Sequence, residues 1–306
     1  MLRASALLSF LFTTVLSAIN LEEFCSSLHD PIHGTITQVH ATLKHAPRPP
    51  LPPLRINPKG KRRKEKKSEM PAYFLTGANR GVGLEFVRHL CPNPDNKIIA
   101  AVRSRRSDLT ELKALAYNGN VHIIECDVSS PDSISSLEFR VAEILSKTGS
   151  SLDFVFNIAG VNASSADTSV SIDPRSLERH MNTNVLGPAK IVQTLQRYLA
   201  RGAVVMNVSS GLASLTSARS TAKCCTYSIS KAAQNMLSLH QARDLKRSHG
   251  GIVICMDPGW VKTRMGGKGA MVEPEVSIQG MLEVLRGLRK EDSGKFFRFD
   301  GSQVPW

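Results

Sequence analysis

From Met70 onward, short apolar runs alternate with longer amphipathic stretches to the end of the chain. This alternation is typical of a parallel β-sheet with helices packed on both faces. Most of the runs are almost continuously apolar, as expected of strands that are buried on both sides. The predicted strands are Tyr73–Thr76, Lys97–Val102, Val121–Cys126, Leu152–Ile158, Ala203–Val208, Gly251–Met256 and Phe296–Phe299. The predicted helices are Leu84–Leu90, Leu109–Ala116, Ile134–Leu145, Pro174–Leu199 and Tyr227–Lys246. The sequence therefore predicts one α/β domain over residues 70–306, a doubly wound seven-stranded parallel sheet.

Residues 1–69 differ in composition and are predicted to form an N-terminal extension rather than a folded domain. Seven of the sixteen prolines lie there, and a basic run follows them at Lys59–Lys67. The segment holds eleven Lys and Arg against five Asp and Glu, which supplies nearly half of the net charge of +13. We interpret the basic run as a solvated, disordered linker. A nuclear-localisation or nucleic-acid tail is the alternative, but the run has no aromatic residue to stack on bases, so no nucleic-acid partner is expected.

The first residues resemble a secretory signal peptide, because Arg3 precedes a short apolar stretch, Ala4–Leu16, that ends in small residues. The stretch is too short for a comfortable transmembrane helix. A mitochondrial presequence and a dispensable extension are the other interpretations, and the last is favoured because Met70 directly precedes the first predicted strand. We expect a cytoplasmic protein with no membrane partner, or a protein of the secretory pathway if the signal is genuine.

The six cysteines show no Cys-x-x-Cys spacing and no accompanying histidine pattern. No metal site is therefore predicted, and a reducing compartment fits the cysteine usage. No histidine is predicted to be catalytic, since four of the nine lie in the extension and none has metal spacing with a glutamate.

A glycine-rich loop follows the first predicted strand and leads into a helix. Gly77, Gly81 and Gly83 stand in the spacing Gly-x₃-Gly-x-Gly, with Val82 between the last two. Glycine lets the backbone turn sharply and approach a pyrophosphate without a Cβ clash, while the helix start offers free N–H groups to a phosphate. The loop therefore predicts a nucleotide site, although its spacing differs from the Gly-x-Gly-x-x-Gly dinucleotide fingerprint.

The residues after the second predicted strand indicate which nicotinamide nucleotide is used. Arg103, Arg105 and Arg106 follow Val102, and no carboxylate stands among them. An NAD-selective site has an acidic residue here, whereas guanidinium groups hold a 2′-phosphate. With Arg80 in the glycine loop, the pattern predicts NADP(H), bound by Arg80 and Arg103. The roles of Arg105 and Arg106 stay open, and a solvated basic turn is the alternative.

Tyr227 and Lys231 stand four residues apart and are predicted to share one face of a helix. Carbonyl reduction needs a proton donor at the oxygen, and a phenol with a pKa of ~10 serves at neutral pH only if its anion is stabilised. A cation one turn away is expected to lower that pKa. Tyr-x-x-x-Lys is common by chance, but here it follows a predicted strand that leads into Ser209-Ser210, where a hydroxyl can polarise a substrate oxygen.

These motifs in this order resemble those of the classical short-chain dehydrogenase/reductase family, over essentially all of residues 70–306. Asn157-Ile158-Ala159-Gly160 is similar to the family's Asn-Asn-Ala-Gly motif, with Ile158 in place of the second Asn. Within the family, the segment Pro258–Gly267, with Met265-Gly266-Gly267, and the ending Ser293–Trp306 are similar to sniffer-type carbonyl reductases and C-signal-like proteins. The resemblance implies a Rossmann fold that binds NADP(H).

The resemblance also implies roles for individual residues. The catalytic positions of the family fall on Asn184, Ser210, Tyr227 and Lys231. Ser210 would bind the substrate oxygen, with Ser209 as the fallback. Asn184 would hold a water in a proton relay, with Asn182 as the rival. Besides the glycine loop and its arginines, the implied cofactor contacts are Asp127, Val128, Asn157, Ala159, Gly160, Lys190, Tyr227, Lys231, Pro258, Gly259, Val261 and Thr263.

The implied activity is the NADPH-dependent reduction of an aldehyde, ketone or quinone to an alcohol, or the reverse, with Tyr227 as general acid/base. The small-molecule substrate would lie under a flexible lid between Thr263 and Gln279. The helix of Tyr227 and the predicted helix Pro174–Leu199 pair between subunits in the family, so a homodimer or homotetramer is expected. The alternative function is a non-catalytic NADP-binding regulatory or signalling protein of the same fold, which the presence of both Tyr227 and Lys231 disfavours.

Overall fold

The structure is a computed structural model, and it describes residues 70–147, 149–163 and 166–306. The predictions made for the N-terminal extension, residues 1–69, lie outside the described residues. The strands are β1 (Ala72–Thr76), β2 (Lys97–Val102), β3 (Val121–Glu125), β4 (Leu152–Asn157), β5 (Leu199–Val208), β6 (Ile252–Asp257) and β7 (Phe296–Arg298). The helices are α1 (Gly81–Leu90), α2 (Thr110–Leu115), α3 (Pro131–Ser146), α4 (Pro174–Met181), α5 (Gly187–Leu195), α6 (Leu215–Thr221), α7 (Cys225–His249) and α8 (Pro274–Gly287).

The seven strands form one sheet in the order β3-β2-β1-β4-β5-β6-β7, and each neighbouring pair is parallel. This confirms the predicted doubly wound seven-stranded sheet. The strand order reverses between β1 and β4, and ligands of such sheets bind in the crevice at the carboxyl ends of the strands beside that reversal. The glycine loop follows β1, so the topology places it at this crevice.

Two apolar layers cover the two faces of the sheet. Neighbouring residues of a strand point to opposite faces, and Phe74 accordingly packs in one layer while Leu75 packs in the other. Val205 and Met206 on β5 divide in the same way. This double burial is the physical reason for the nearly continuous apolar runs in the sequence.

The predicted helical stretch over Pro174–Leu199 is confirmed as far as Tyr198, but it is not one regular α-helix. The segment contains α4, a single π-helical stretch at Asn182–Leu186, α5 and a short 3₁₀ turn, and Leu199 already belongs to β5. Pro188 has no N–H to donate to the carbonyl of Asn184, which disturbs the regular α-helical pattern. Gly187 also packs closely, because a Cβ on it would lie 2.7 Å from the carbonyl oxygen of Val128.

Two helices, α6 and α8, were not predicted. Helix α8 begins at Pro274, a residue type that suits the first turn of a helix. The predicted lid, Thr263 to Gln279, therefore ends in a helix, and the irregular loop after β6 is limited to residues 258–273. None of the helices in the described ranges is long and apolar enough to cross a membrane.

Candidate active site

The glycine loop between β1 and α1 has a backbone that favours glycine. Gly77 and Gly81 have positive φ angles of 71° and 52°. A Cβ on Gly83 would lie 2.3 Å from the carbonyl oxygen of Gly77, so the loop closes tightly on the start of α1. Helix α1 begins without a side-chain cap from Arg80 and without an acidic residue in its first turn. Because its first N–H groups receive no side-chain cap, the loop fits a phosphate group.

The segment after β4 lies directly against this loop. Thr76 Oγ1 accepts hydrogen bonds from the backbone N–H groups of Ile158 and Ala159, both at 3.0 Å. A Cβ on Gly77 would lie 3.1 Å from Cα of Ala159. Ile158 therefore keeps the backbone contacts of the motif, and its neighbours Ala159 and Gly160 reach the nucleotide crevice.

Asn157, at the end of β4, makes a different set of contacts from its neighbours. It is 2% exposed, and its side-chain Nδ2 donates to Oδ1 of Asn207 at 2.8 Å. Asn207 in turn donates to Ser238 and Gln241 on α7, at 2.8 and 2.9 Å. This buried polar chain connects the two central strands to the helix that carries Tyr227, so the side chain of Asn157 faces the core.

Arg80 and Arg103 are exposed near the glycine loop, and neither forms an ion pair with any residue in the described ranges. Ala78 N donates to Ala101 O at 3.1 Å, which ties the loop to the end of β2. Burial lowers the pKa of Arg80, and the charges of Arg264 and Arg103 lower it further. Arg264 lies in the loop after β6, and the sequence pattern did not single it out.

Asp127 and Val128 follow β3. Asp127 Oδ1 accepts from the backbone N and the hydroxyl of Ser129, at 2.9 and 2.7 Å, so one carboxylate oxygen is already engaged. Val128 is buried against Gly187. Lys190 is half-buried on α5, and no described hydrogen bond or ion pair links it to the glycine loop.

The loop after β6 brings its predicted residues to the same crevice. Pro258 and Gly259 form a turn in which Gly259 has a φ of 78°, a value that favours glycine. Val261 is buried, at 4% exposure. Thr263 lies against the glycine loop, because a Cβ on Gly81 would be 3.3 Å from its Cγ2 atom. The loop therefore reaches across from β6 to the start of α1.

The two serines at the end of β5 have different neighbours. Ser209 is 2% exposed, and its hydroxyl donates to Oδ1 of Asn235 at 2.6 Å. The Ser210 side chain lies close enough to Tyr227 to act on its pKa, and its Oγ accepts from the backbone N–H of Leu212 at 3.2 Å. Successive residues of extended chain point in opposite directions. The structure therefore places Ser210 at Tyr227 and Ser209 in the core.

Burial raises the pKa of Tyr227. The nearby Ser210 hydroxyl acts to lower it, while the negative charges of Asp257 and Cys224 would raise it further. Lys231 Nζ lies 5.9 Å from the centre of the Tyr227 ring. The expected lowering of this pKa by Lys231 is not met in this structure, because removal of the phenolate from water outweighs the nearby cation.

Lys231 is buried in a pocket of oxygen acceptors. It is 3% exposed, and its Nζ donates to the carbonyl oxygen of Val208 at 2.7 Å and to Oε1 of Gln234 at 2.8 Å. Burial lowers the pKa of Lys231 to about 7. A Cβ on Gly160 would lie 3.6 Å from Nζ and 3.2 Å from Oδ1 of Asn184. Glycine at this position thus leaves free the space in front of the amine.

Asn184 lies in the π-helical stretch and is fully buried. Its Nδ2 donates to Ser230 Oγ at 2.9 Å and to Val161 O at 3.0 Å, and its Oδ1 accepts from Val161 N at 2.8 Å. Asn184 is therefore the asparagine whose side chain is hydrogen-bonded to α7, through Ser230. Both polar atoms of its side chain are thus engaged, and Pro188 cannot donate to its main-chain carbonyl.

Sequence reasoning missed the residue that caps α7. The N-cap position, Cys224, gives no side-chain hydrogen bond to the helix. Instead Asp167 Oδ2 accepts from the backbone N of Thr226 at 2.8 Å and from its hydroxyl at 2.6 Å. Asp167 lies 59 residues before Thr226 in the sequence. No local sequence signal therefore pointed to it as the cap of α7.

His180 on α4 was also missed as a neighbour of the site. It is fully buried, with its ring centre 6.4 Å from that of Tyr227 in an edge-to-face arrangement. Its Nδ1 donates to Ser176 O at 2.7 Å, and its Nε2 accepts from Ala163 N at 3.1 Å. Because both ring nitrogens are engaged, His180 packs against Tyr227 and has no nitrogen left for proton transfer.

Fold and site together define a Rossmann-type nucleotide-binding protein with a Ser-Tyr-Lys centre. The family model described as short chain dehydrogenase matches residues 72–271. The chain therefore belongs to the short-chain dehydrogenase/reductase family of oxidoreductases.

Individual relatives agree with this assignment. C-signal from Myxococcus xanthus is 36% identical over 157 residues, which are 51% of this chain and 93% of C-signal. The NADPH-bound carbonyl reductase from chicken fatty liver has a TM-score of 0.72 and 31% identity, over 78% of this chain and 99% of that one. Carbonyl reductase Sniffer of D. melanogaster has a TM-score of 0.71 and 26% identity, over 78% and 100%. The predicted similarity to sniffer-type reductases and C-signal is confirmed.

Proposed function

We propose that this protein reduces the carbonyl group of an aldehyde, ketone or quinone to an alcohol, or catalyses the reverse reaction, with NADP(H) as its cofactor. The observation that carries the proposal is the placement of the Ser210 side chain beside the Tyr227 phenol, at the same carboxyl edge of the sheet as the glycine loop. The likeness to carbonyl reductases, one of them bound to NADPH, supports the same assignment.

The proposed mechanism assigns one task to each side chain. Bound NADPH supplies the hydride for the carbonyl carbon. Ser210 donates a hydrogen bond to the carbonyl oxygen and stabilises the charge that develops there. Tyr227 gives its phenolic proton to that oxygen. Lys231 binds the nicotinamide ribose and, through a water at Asn184, connects Tyr227 to solvent.

A substrate panel tests this activity. We expect the protein to oxidise NADPH with at least one member of a set of aldehydes, ketones and quinones. Tyr227→Phe should lower kcat by about 100-fold or more, the scale of a lost general acid. Tyr117→Phe is the matched control, since Tyr117 is 92% exposed and lies in the connection between α2 and β3. NADPH binding without turnover on any carbonyl would instead support the non-catalytic regulator.

The choice of NADP(H) rests on Arg80 and Arg103, which have no carboxylate partner among the described residues. Arg103→Asp should shift the preference from NADPH towards NADH, because the new carboxylate repels a 2′-phosphate and accepts from ribose hydroxyls. Arg247→Asp, an exposed charge reversal near the far end of α7, should leave the preference unchanged. An unaltered NADPH/NADH ratio in the Arg103 variant would refute the assignment.

We also propose a homodimer or homotetramer in which α7 lies at a subunit contact. Ile229, Met236 and Leu239 on this helix are 41%, 57% and 36% exposed, so one helix leaves three large apolar side chains at the surface. Met236→Glu should lower the mass measured by light scattering if the helix is an interface.

The cytoplasmic location stays a prediction.

A further inference from the structure

The loop after β6 holds Arg264 in a defined place. Trp260 Nε1 donates to the carbonyl oxygen of Gly266 at 2.8 Å, and Gly266 N donates to Thr263 Oγ1 at 3.2 Å. Gly267 N donates to Thr263 O at 3.1 Å. These bonds close a compact turn over residues 260–267, and Arg264 lies inside it as an exposed residue.

This turn meets the nucleotide loop beside Arg80. A Cβ on Gly81 would lie 3.3 Å from Thr263 Cγ2, so the residues that follow Arg80 and precede Arg264 are in contact. The same nucleotide loop is hydrogen-bonded to the end of β2 through Ala78 N and Ala101 O, at 3.1 Å. Three chain segments, each carrying an exposed arginine, therefore converge on one end of the crevice.

The three arginines have no acidic partner. Among the described residues, none of the ion pairs includes Arg80, Arg103 or Arg264. Lys262, in the same loop as Arg264, does have one, Glu273. Besides burial, the charges of Arg264 and Arg103 lower the pKa of Arg80, in keeping with a position of Arg80 near both. A bound dianion would relieve the repulsion between these cations.

We propose that Arg264 is a third arginine for the 2′-phosphate of NADP(H), so that the loop on the substrate side of the crevice closes onto the nucleotide. The inference rests on the NADP(H) preference proposed above. A phosphate monoester offers three acceptor oxygens, enough for guanidinium groups from three directions. Since the same loop carries Val261 and Thr263, binding of the 2′-phosphate would also order the residues predicted to hold the nicotinamide.

Calorimetric titration with two nucleotides tests the proposal without any turnover. Adenosine 2′,5′-bisphosphate and 5′-AMP differ only by the 2′-phosphate. Arg264→Met should weaken the bisphosphate about 10-fold or more, as expected for loss of a charge-assisted hydrogen bond, and leave 5′-AMP nearly unchanged. Lys268→Met is the matched control, because Lys268 is an exposed cation of the same loop. It should change neither affinity.

A fluorescence measurement reports the loop itself. Trp260 and Trp306 are the two tryptophans of the chain, so a Trp306→Phe background leaves Trp260 as the reporter. Binding of the bisphosphate should change the emission of Trp260 in the Trp306→Phe protein and in the double variant Trp306→Phe/Lys268→Met. It should leave the emission unchanged in Trp306→Phe/Arg264→Met. Circular dichroism and the melting temperature of each variant establish that it is folded.

The outcomes separate the two proposals. If Arg264→Met binds the bisphosphate as well as the wild type does, or loses affinity for both nucleotides equally, the role of Arg264 is overturned while the NADP(H) preference stands. If the wild-type protein itself binds the bisphosphate no better than 5′-AMP, the NADP(H) preference fails and this inference fails with it.

Discussion

The ammonium group of Lys231 donates to the side-chain oxygen of Gln234 at 2.8 Å, from one turn to the next on the buried face of α7. Gln234 is fully buried, and its amide Nε2 has no hydrogen-bond partner among the described residues. The carbonyl oxygen of Val208 is the second acceptor, at 2.7 Å. No carboxylate of the described residues forms an ion pair with the amine, and burial lowers the pKa of Lys231 to about 7. Gln234 therefore positions Lys231 without fixing its charge.

Replacement of Gln234 should change the pH dependence of NADPH binding. The nucleotide is anionic, so its affinity should fall as Lys231 loses its proton near pH 7. Gln234→Glu puts a negative charge beside the amine of Lys231 and raises the pKa of that amine. The loss of NADPH affinity should then move to higher pH by about one unit or more. Gln234→Met removes an acceptor and should move it lower. The measurement is a titration with NADPH from about pH 6 to about pH 9, a range that includes the Lys231 pKa of about 7. Identical profiles in all three proteins would contradict the positioning role.

Alanine substitution of the two serines after β5 should affect stability in one case and activity in the other. Ser209→Ala leaves the buried Oδ1 of Asn235 without its donor and should lower the free energy of unfolding by about 1–3 kcal/mol. Ser210→Ala should change stability little and instead reduce kcat/KM, because Ser210 is the hydroxyl beside Tyr227. Urea unfolding and steady-state kinetics on both variants check the pair. The reverse pattern would move the catalytic assignment to Ser209.

Loss of the remote cap of α7 should destabilise the protein and disturb Tyr227. Asp167→Ala removes both hydrogen bonds to Thr226, and loss of a helix cap costs about 1 kcal/mol. Asp167→Asn keeps an oxygen acceptor and serves as the control, with a smaller loss expected. Urea unfolding at neutral pH measures both changes, and kcat should fall more in the alanine variant. Equal unfolding free energies for wild type and Asp167→Ala would show that Asp167 is not a functional cap.

The same cap has a pH dependence of known sign. Burial acts to raise the pKa of Asp167, but its hydrogen bonds from Thr226 and from the backbone outweigh burial, and the pKa lies below its ordinary value. The stabilisation by its carboxylate is therefore complete above the unfolded-state pKa of ~4 and is lost as the pH falls through the folded-state pKa. The stability difference between wild type and Asp167→Asn should shrink on acidification.

The ion pair between Asp257 and Arg298 should affect the pKa of Tyr227. Asp257 is 5% exposed, and its Oδ2 accepts from Arg298 Nε at 3.1 Å. Its negative charge raises the pKa of Tyr227, so Arg298→Met should raise that pKa further and move the pH profile of kcat upward. The double variant Arg298→Met/Asp257→Asn should restore the profile. Arg197→Met, which breaks an exposed pair with Glu138, is the control and should leave it unchanged.

Much of the fold followed from local patterns. Apolar runs located all seven strands because parallel strands buried on both faces have no polar side. The helical stretch over Pro174–Leu199 contains an unpredicted π-helical segment, because Pro188 has no N–H to donate and Gly187 packs against Val128, which follows β3 and lies far away in sequence. Helix α8 was missed within a segment assigned to a flexible lid.

The sequence by itself determined the strand–helix alternation, the glycine loop and the spacing that puts Tyr227 and Lys231 on one helical face, because each depends on neighbours along the chain. Only the tertiary structure decided that Ser210 and not Ser209 lies beside Tyr227, that burial raises the pKa of Tyr227 while lowering that of Lys231, and that Thr263 lies against the glycine loop. Burial and contacts between distant segments set these properties, and no local pattern in the sequence records them.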